Sequence, residues 1–153
     1  MQLSDVFLQL GEDNFSQLLR SISMGKLRTF QLFDRLKARA HLAKLNTENL
    51  RKAAPRLFAR LEERDNELAT EISQAVLLSH FDLIVGVLNF LGIPHEEGFF
   101  VKDLDASHNL TEGWRERVFN EFRGRFPEPI VLFYINHLAV EVAHAEQVFV
   151  PAA

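Results

Sequence analysis

AVLLSHFDLIVGVLNFLGIP, residues 75–94, is the stretch whose reading decides the fold. Ala75 to Ile93 is long enough to cross a bilayer, yet it carries Ser79, His80, Asp82 and Asn89. Asp82 near its centre would cost about 2.5–3.5 kcal/mol in a membrane even on a lenient insertion scale. The segment therefore reads as a core helix over 75–91 in a cytoplasmic protein with no membrane contact. Beyond Val76 it is apolar on every side, as a surrounded helix must be. Gly92-Ile93-Pro94 stops it: Gly92 suits a left-handed cap, Ile93 reaches back to Leu88, and Pro94 forbids continuation.

Working upstream, Leu57, Leu61, Leu68, Ile72 and Ala75 hold one apolar face from Pro55 onward, with a break near Asp65-Asn66. Pro55 is tolerated in a first helical turn and not inside a helix. A basic helix is expected from Lys26 to Leu45, with Phe30, Phe33 and Leu36 on one side and Arg28, Arg35 and Arg39 on the other. Before it, Asp13 or Asn14 is expected to cap a helix carrying Phe15, Leu18, Leu19 and Ile22. Leu3, Ser4 and Asp5 open a first helix that ends at Gly11.

Downstream, a connection from Pro94 to Leu110 is long for a compact domain, and Phe99, Phe100, Val101 and Leu104 are expected to anchor it on the core. Thr111 caps a helix with Trp114, Val118, Phe119 and Phe122, closed by Gly124. Phe126-Pro127-Glu128-Pro129 is a rigid connector. The last helix is expected from Ile130 to Phe149, a strand over 130–135 being the alternative. The whole is an all-α protein: an irregular bundle of six to seven helices in a single helical domain, residues 1–153, with one long connection at about 94–110.

The composition fits such a domain. The 47% hydrophobic and 25% charged residues of the 153-residue chain are ordinary globular proportions, and roughly 70% of the unfolded surface is buried at this size. Fourteen phenylalanines stand against one Tyr and one Trp, which favours a greasy core or a buried subunit contact. The absence of cysteine rules out disulfides, thiolate metal sites and a thiol nucleophile.

On the last helix His137, Glu141 and His144 stand at i, i+4 and i+7, one above another if the helix is continuous. Imidazole and carboxylate suit a divalent transition metal, and Glu141 to His144 has the Glu-x-x-His spacing of bundle-core di-iron sites. There is no second such pair. His80, His95 and His108 are the remaining candidates for a further ligand. The competing reading is a buried histidine satisfied by its neighbours, and no cofactor is expected on that reading.

Charge is uneven. Residues 20–64 hold 12 Lys and Arg against four acids, whereas residues 65–153 hold five against 14. The basic half raises polyanion or nucleic-acid binding through Arg28, Arg35 and Arg39; the overall net charge of −4 and the lack of a groove-reading motif oppose it. In the long connection, His95, Glu96, Glu97, Asp103, Asp105 and His108 form no calcium-loop pattern. Neither a phosphate-cradling glycine loop nor Gly-x-Ser-x-Gly nor His-Glu-x-x-His is present. The leading expectation is a non-enzymatic interaction or scaffold domain that associates with itself or with another protein. A metal- or small-ligand-binding bundle is the second expectation.

Overall fold

The structure, a computed structural model, describes residues 1–23, 52–96, 98–100 and 105–151. The protein is all-α, with seven helices among the described residues. The expected helix over 26–45, with Arg28, Arg35 and Arg39, lies outside them, as do Glu97 and Asp103. The chain divides into two compact units, Gln2–Ser79 and His80–Ala153 with Met1.

In the first unit, α1 (Leu3–Leu10) and α2 (Glu12–Ser21) pack on each other and on α3 (Ala54–Glu62) and α4 (Asn66–Ser79). Phe7, Phe15, Leu18, Leu57, Leu61 and Leu68 are fully buried. Each such side chain contributes about 1.5–3 kcal/mol. The Phe15 ring stands 5.6 Å from Phe7, edge-on, and 5.5 Å from Phe58. Pro55 lies in the first turn of α3, as its missing N–H favours.

The starts of α1 and α2 differ from expectation by two or three residues. Gln2, not Ser4, caps α1, and its N–H donates to Asp5 Oδ2 at 2.9 Å. Ser4 instead donates to Asn66 Oδ1 at 2.9 Å, tying α1 to the start of α4. Gly11, with φ +93, ends α1 and leads straight into α2, so neither Asp13 nor Asn14 is its cap. The break near Asp65 is present. Arg64 takes a positive φ of 60°, and Asp65 Oδ1 accepts from Leu68 N at 3.1 Å to open α4.

The expected single helix over 75–91 is two helices, α4 and α5 (Phe81–Leu91), parted at His80, whose φ of −133° and ψ of 46° are not helical. Ser79 supplies a physical cause. Its hydroxyl donates back to Ala75 O at 2.8 Å and accepts from Ser23 N at 2.9 Å. A hydroxyl that bonds its own helix four residues back competes with the helical ladder. No single helix among the described residues is long and apolar enough to cross a membrane.

The second unit is built on α6 (Trp114–Phe122), which packs on both α5 and α7 (Glu128–Ala143). The stop after α5 is as expected: Gly92 is left-handed at φ 72° and Ile93 N donates to Leu88 O at 2.9 Å. The connection that follows holds an antiparallel ladder of β1 (His95–Glu96) and β2 (Phe99–Phe100), paired His95 to Phe100 and Glu96 to Phe99. A short 3-10 turn, Ser107–Asn109, comes next, and the Asn109 amide donates to Gly92 O at 3.0 Å. Gly113, not Thr111, immediately precedes α6; Thr111 O accepts from Trp114 N instead. Helix α7 is buried on nearly all sides from Ile130 to Ala139, so 130–135 is helix. It ends six residues short of Phe149.

Candidate functional site

Asn136 stands alone as an amide in the apolar run of α7, and it is wholly buried. A buried primary amide has two donors and an acceptor to satisfy. One donor goes to Leu132 O, one turn back, at 2.8 Å. The other goes to Phe149 O at 3.1 Å, and Oδ1 accepts from Phe149 N at 2.6 Å. The side chain thus clasps the main chain of one residue in the C-terminal tail on both sides.

For this to happen the chain must reverse after α7. His144 does so in the left-handed region, φ 50° and ψ 41°, and Ala145 N donates to Ala139 O at 3.1 Å. A non-glycine residue there costs about 1–2 kcal/mol. Two further contacts hold the tail: Arg115 donates to Gln147 O at 3.1 Å, and the Phe149 ring meets Phe119 edge-on at 6.2 Å.

Where the tail returns to α6 it completes a solvent-open slot of about 500 Å³ lined by Leu110, Thr111, Glu112, Gly113, Trp114, Arg115, Glu116 and Phe149. Trp114, Leu110 and Phe149 supply the apolar walls, and the rim carries both charges. The Arg115 guanidinium lies 5.8 Å from the Trp114 ring centre. Arg117 fixes the approach to the helix, donating to Glu112 O and Thr111 Oγ1, each at 2.7 Å.

The histidines expected to share a metal are not brought together. His137 remains on α7, its ring 5.7 Å from Phe133, and burial lowers its pKa from 6.5 to about 4. Glu141 is exposed on the last turn, and His144, also exposed, has left the helix at the reversal. The i+7 face therefore does not form. His95 has both ring nitrogens engaged: Nδ1 accepts from Gly98 N at 3.0 Å, which leaves Nε2 to donate to Asn89 Oδ1 at 2.8 Å. His80 sits at the α4–α5 break and His108 is exposed in the 3-10 turn. Among the described residues no three His, Asp or Glu side chains are grouped to hold a metal ion.

Two other ionisable groups report local structure. The Ser107 hydroxyl and then its N–H donate to Asp105 and hold its pKa below the ordinary carboxylate value. Burial raises the pKa of the Tyr134 phenol. Asp82 is exposed in the first turn of α5.

The clasp and the slot were missed from the sequence, although one signal existed. An Asn inside Ile130-Val-Leu-Phe-Tyr-Ile-Asn136 must find partners outside the regular helix ladder. The chain matches no known protein family, no curated protein and no solved structure.

Proposed function

We propose that this chain is a non-enzymatic helical interaction module whose main partner is a second copy of itself. The observation that carries the reading is the open slot beside Trp114, walled by Leu110 and Phe149 and rimmed by Glu112, Arg115 and Glu116. Its volume, about 500 Å³, falls within the range of roughly 300–1,000 Å³ usual for binding pockets. Arg115, on the rim, is of a residue type enriched among interface anchors, while Trp114 is buried beneath the slot as its floor. The rim sets two glutamates, Glu112 and Glu116, around Arg115, so each copy offers the other a charge of either sign to pair with. Phe90, 44% exposed, and Val150, 64% exposed, add apolar surface in the same unit. The Phe-rich composition agrees, since it supplies more apolar area than polar tips.

The test is the solution mass of the purified chain, measured by sedimentation across a wide concentration range. Trp114 is the sole tryptophan, so its emission is read on the same samples. The expected result is a reversible dimer whose formation shifts the Trp114 emission along the same curve. Leu110→Asp, at the slot wall, should weaken the dimer without unfolding the chain. A protein that stays monomeric at every concentration defeats the proposal.

A further inference from the structure

The tail joined to α7 through His144 makes its contacts to a surface that any copy of the chain presents equally. We propose that residues 145–151 are exchanged between two copies, the α6–α7 surface of each taking the tail of the other. The inference rests on the self-association reading and names the segment that performs it.

Three observations support it. The first is the clasp. Asn136 is fully buried and needs the N–H and carbonyl of Phe149 to satisfy it, so some tail must occupy the site. A partner's tail makes the same bonds to Asn136 and Arg115, and the same ring contact with Phe119, as the chain's own. Exchange of identical elements loses no contact, which is why it is an easy route to a dimer.

The hinge comes second. His144 holds the closed arrangement in a left-handed conformation that a side chain disfavours. Opening the hinge removes that penalty once in each chain.

Third, nothing in the local sequence asks for the reversal at His144. Ala143-His144-Ala145-Glu146-Gln147 is rich in strong helix formers, with no glycine or proline before Pro151. Local preference would carry α7 onward, whereas the clasp demands a reversal. Such a conflict between local and tertiary preference is what an exchangeable hinge needs. Beyond the clasp, Val150 is 64% exposed and offers further apolar surface to a second copy.

The experiment uses the full chain carrying Arg115→Cys and Gln147→Cys, which has no other cysteine, treated with a short bifunctional maleimide. Exchange places the cysteine at position 115 of one chain beside that at position 147 of the other. Covalent dimers whose mapped crosslink joins 115 to 147 are expected on a denaturing gel, and dimers joined only 115 to 115 overturn exchange. Sedimentation of the wild type is run beside it. A dimeric solution that yields only single-chain crosslinks overturns exchange and leaves self-association standing. A strictly monomeric wild type overturns both. Hinge variants supply an independent readout: His144→Gly, which eases the left-handed turn, should raise the dimer Kd about tenfold or more, and His144→Val should lower it. A Kd that neither variant moves also overturns exchange.

Discussion

A Cβ placed on Gly86 would stand 2.9 Å from Cε1 of the Phe122 ring, closer than such atoms approach in proteins. Helices α5 and α6 meet at this point because residue 86 has no side chain. The Phe122 ring cannot easily yield. It is buried, meets Phe90 edge-on at 5.9 Å, and lies under the Arg125 guanidinium at 4.4 Å. Gly86→Ala should therefore destabilise the fold by about 1–3 kcal/mol through overpacking, outweighing a helix-propensity gain of up to about 1 kcal/mol. Urea unfolding decides it, and an unchanged or raised midpoint would contradict the close approach.

Asn136→Ala removes three hydrogen bonds and leaves the N–H and carbonyl of Phe149 without their partner. At about 0.5–1.5 kcal/mol for each bond, a loss of roughly 2–4 kcal/mol is expected. The more telling readout is local. The amide of Phe149 should exchange with deuterium far faster in the variant than in the wild type, while amides in α2 and α3 of the other unit keep their relative protection.

His137 predicts an acid sensitivity with a defined sign. Its pKa is lowered by burial from 6.5 to about 4. Between those values the unfolded chain binds a proton that the folded chain refuses. Stability from this group is therefore flat above pH 6.5, falls as the pH drops toward 4, and is flat again below. The full change is about 3 kcal/mol. His137→Leu should remove this slope from urea midpoints measured between pH 7 and pH 4. A variant whose slope matches the wild type would show that His137 is solvated.

Asp65 makes the turn between α3 and α4 stable in two ways: it accepts from Leu68 N at 3.1 Å and pairs with Arg60. Asp65→Ala should cost about 1–2 kcal/mol, chiefly as a lost helix cap. Arg60→Ala should cost less, since the pair is partly exposed. Thermal unfolding of the two variants side by side tests the ranking.

What the sequence disclosed was whatever is encoded locally. The Gly92-Ile93-Pro94 stop, Pro55 in a first turn and the break at Asp65 are each set by one or two residues with restricted backbone, and each is found where expected. The helix starts shifted because Gln2 and Gly113 serve where Ser4 and Thr111 have better intrinsic preference. Two larger departures share a feature. The break at His80 coincides with Ser23 N reaching Ser79 Oγ, and the reversal at His144 with Phe149 reaching Asn136. Helical periodicity ran through both places unbroken, since neither partner is near in sequence. For the same reason the ladder of His137, Glu141 and His144 looked sound: its spacing was helical, and only the tertiary clasp bends the chain away from it.

The Asn136 amide touches the tail only at peptide groups, and this limits what the clasp can discriminate. Every residue but proline offers the same N–H and carbonyl at position 149, so the bonds carry no information about side chains there. Only the ring resting on Phe119 does. The clasp therefore acts as a ruler rather than a reader: it measures how many residues separate the end of α7 from an aromatic ring. Val148 and Glu146 should tolerate wide substitution, whereas a single-residue deletion between Ala145 and Val148 would put the wrong peptide at Asn136 and undo the arrangement while leaving the composition almost unchanged.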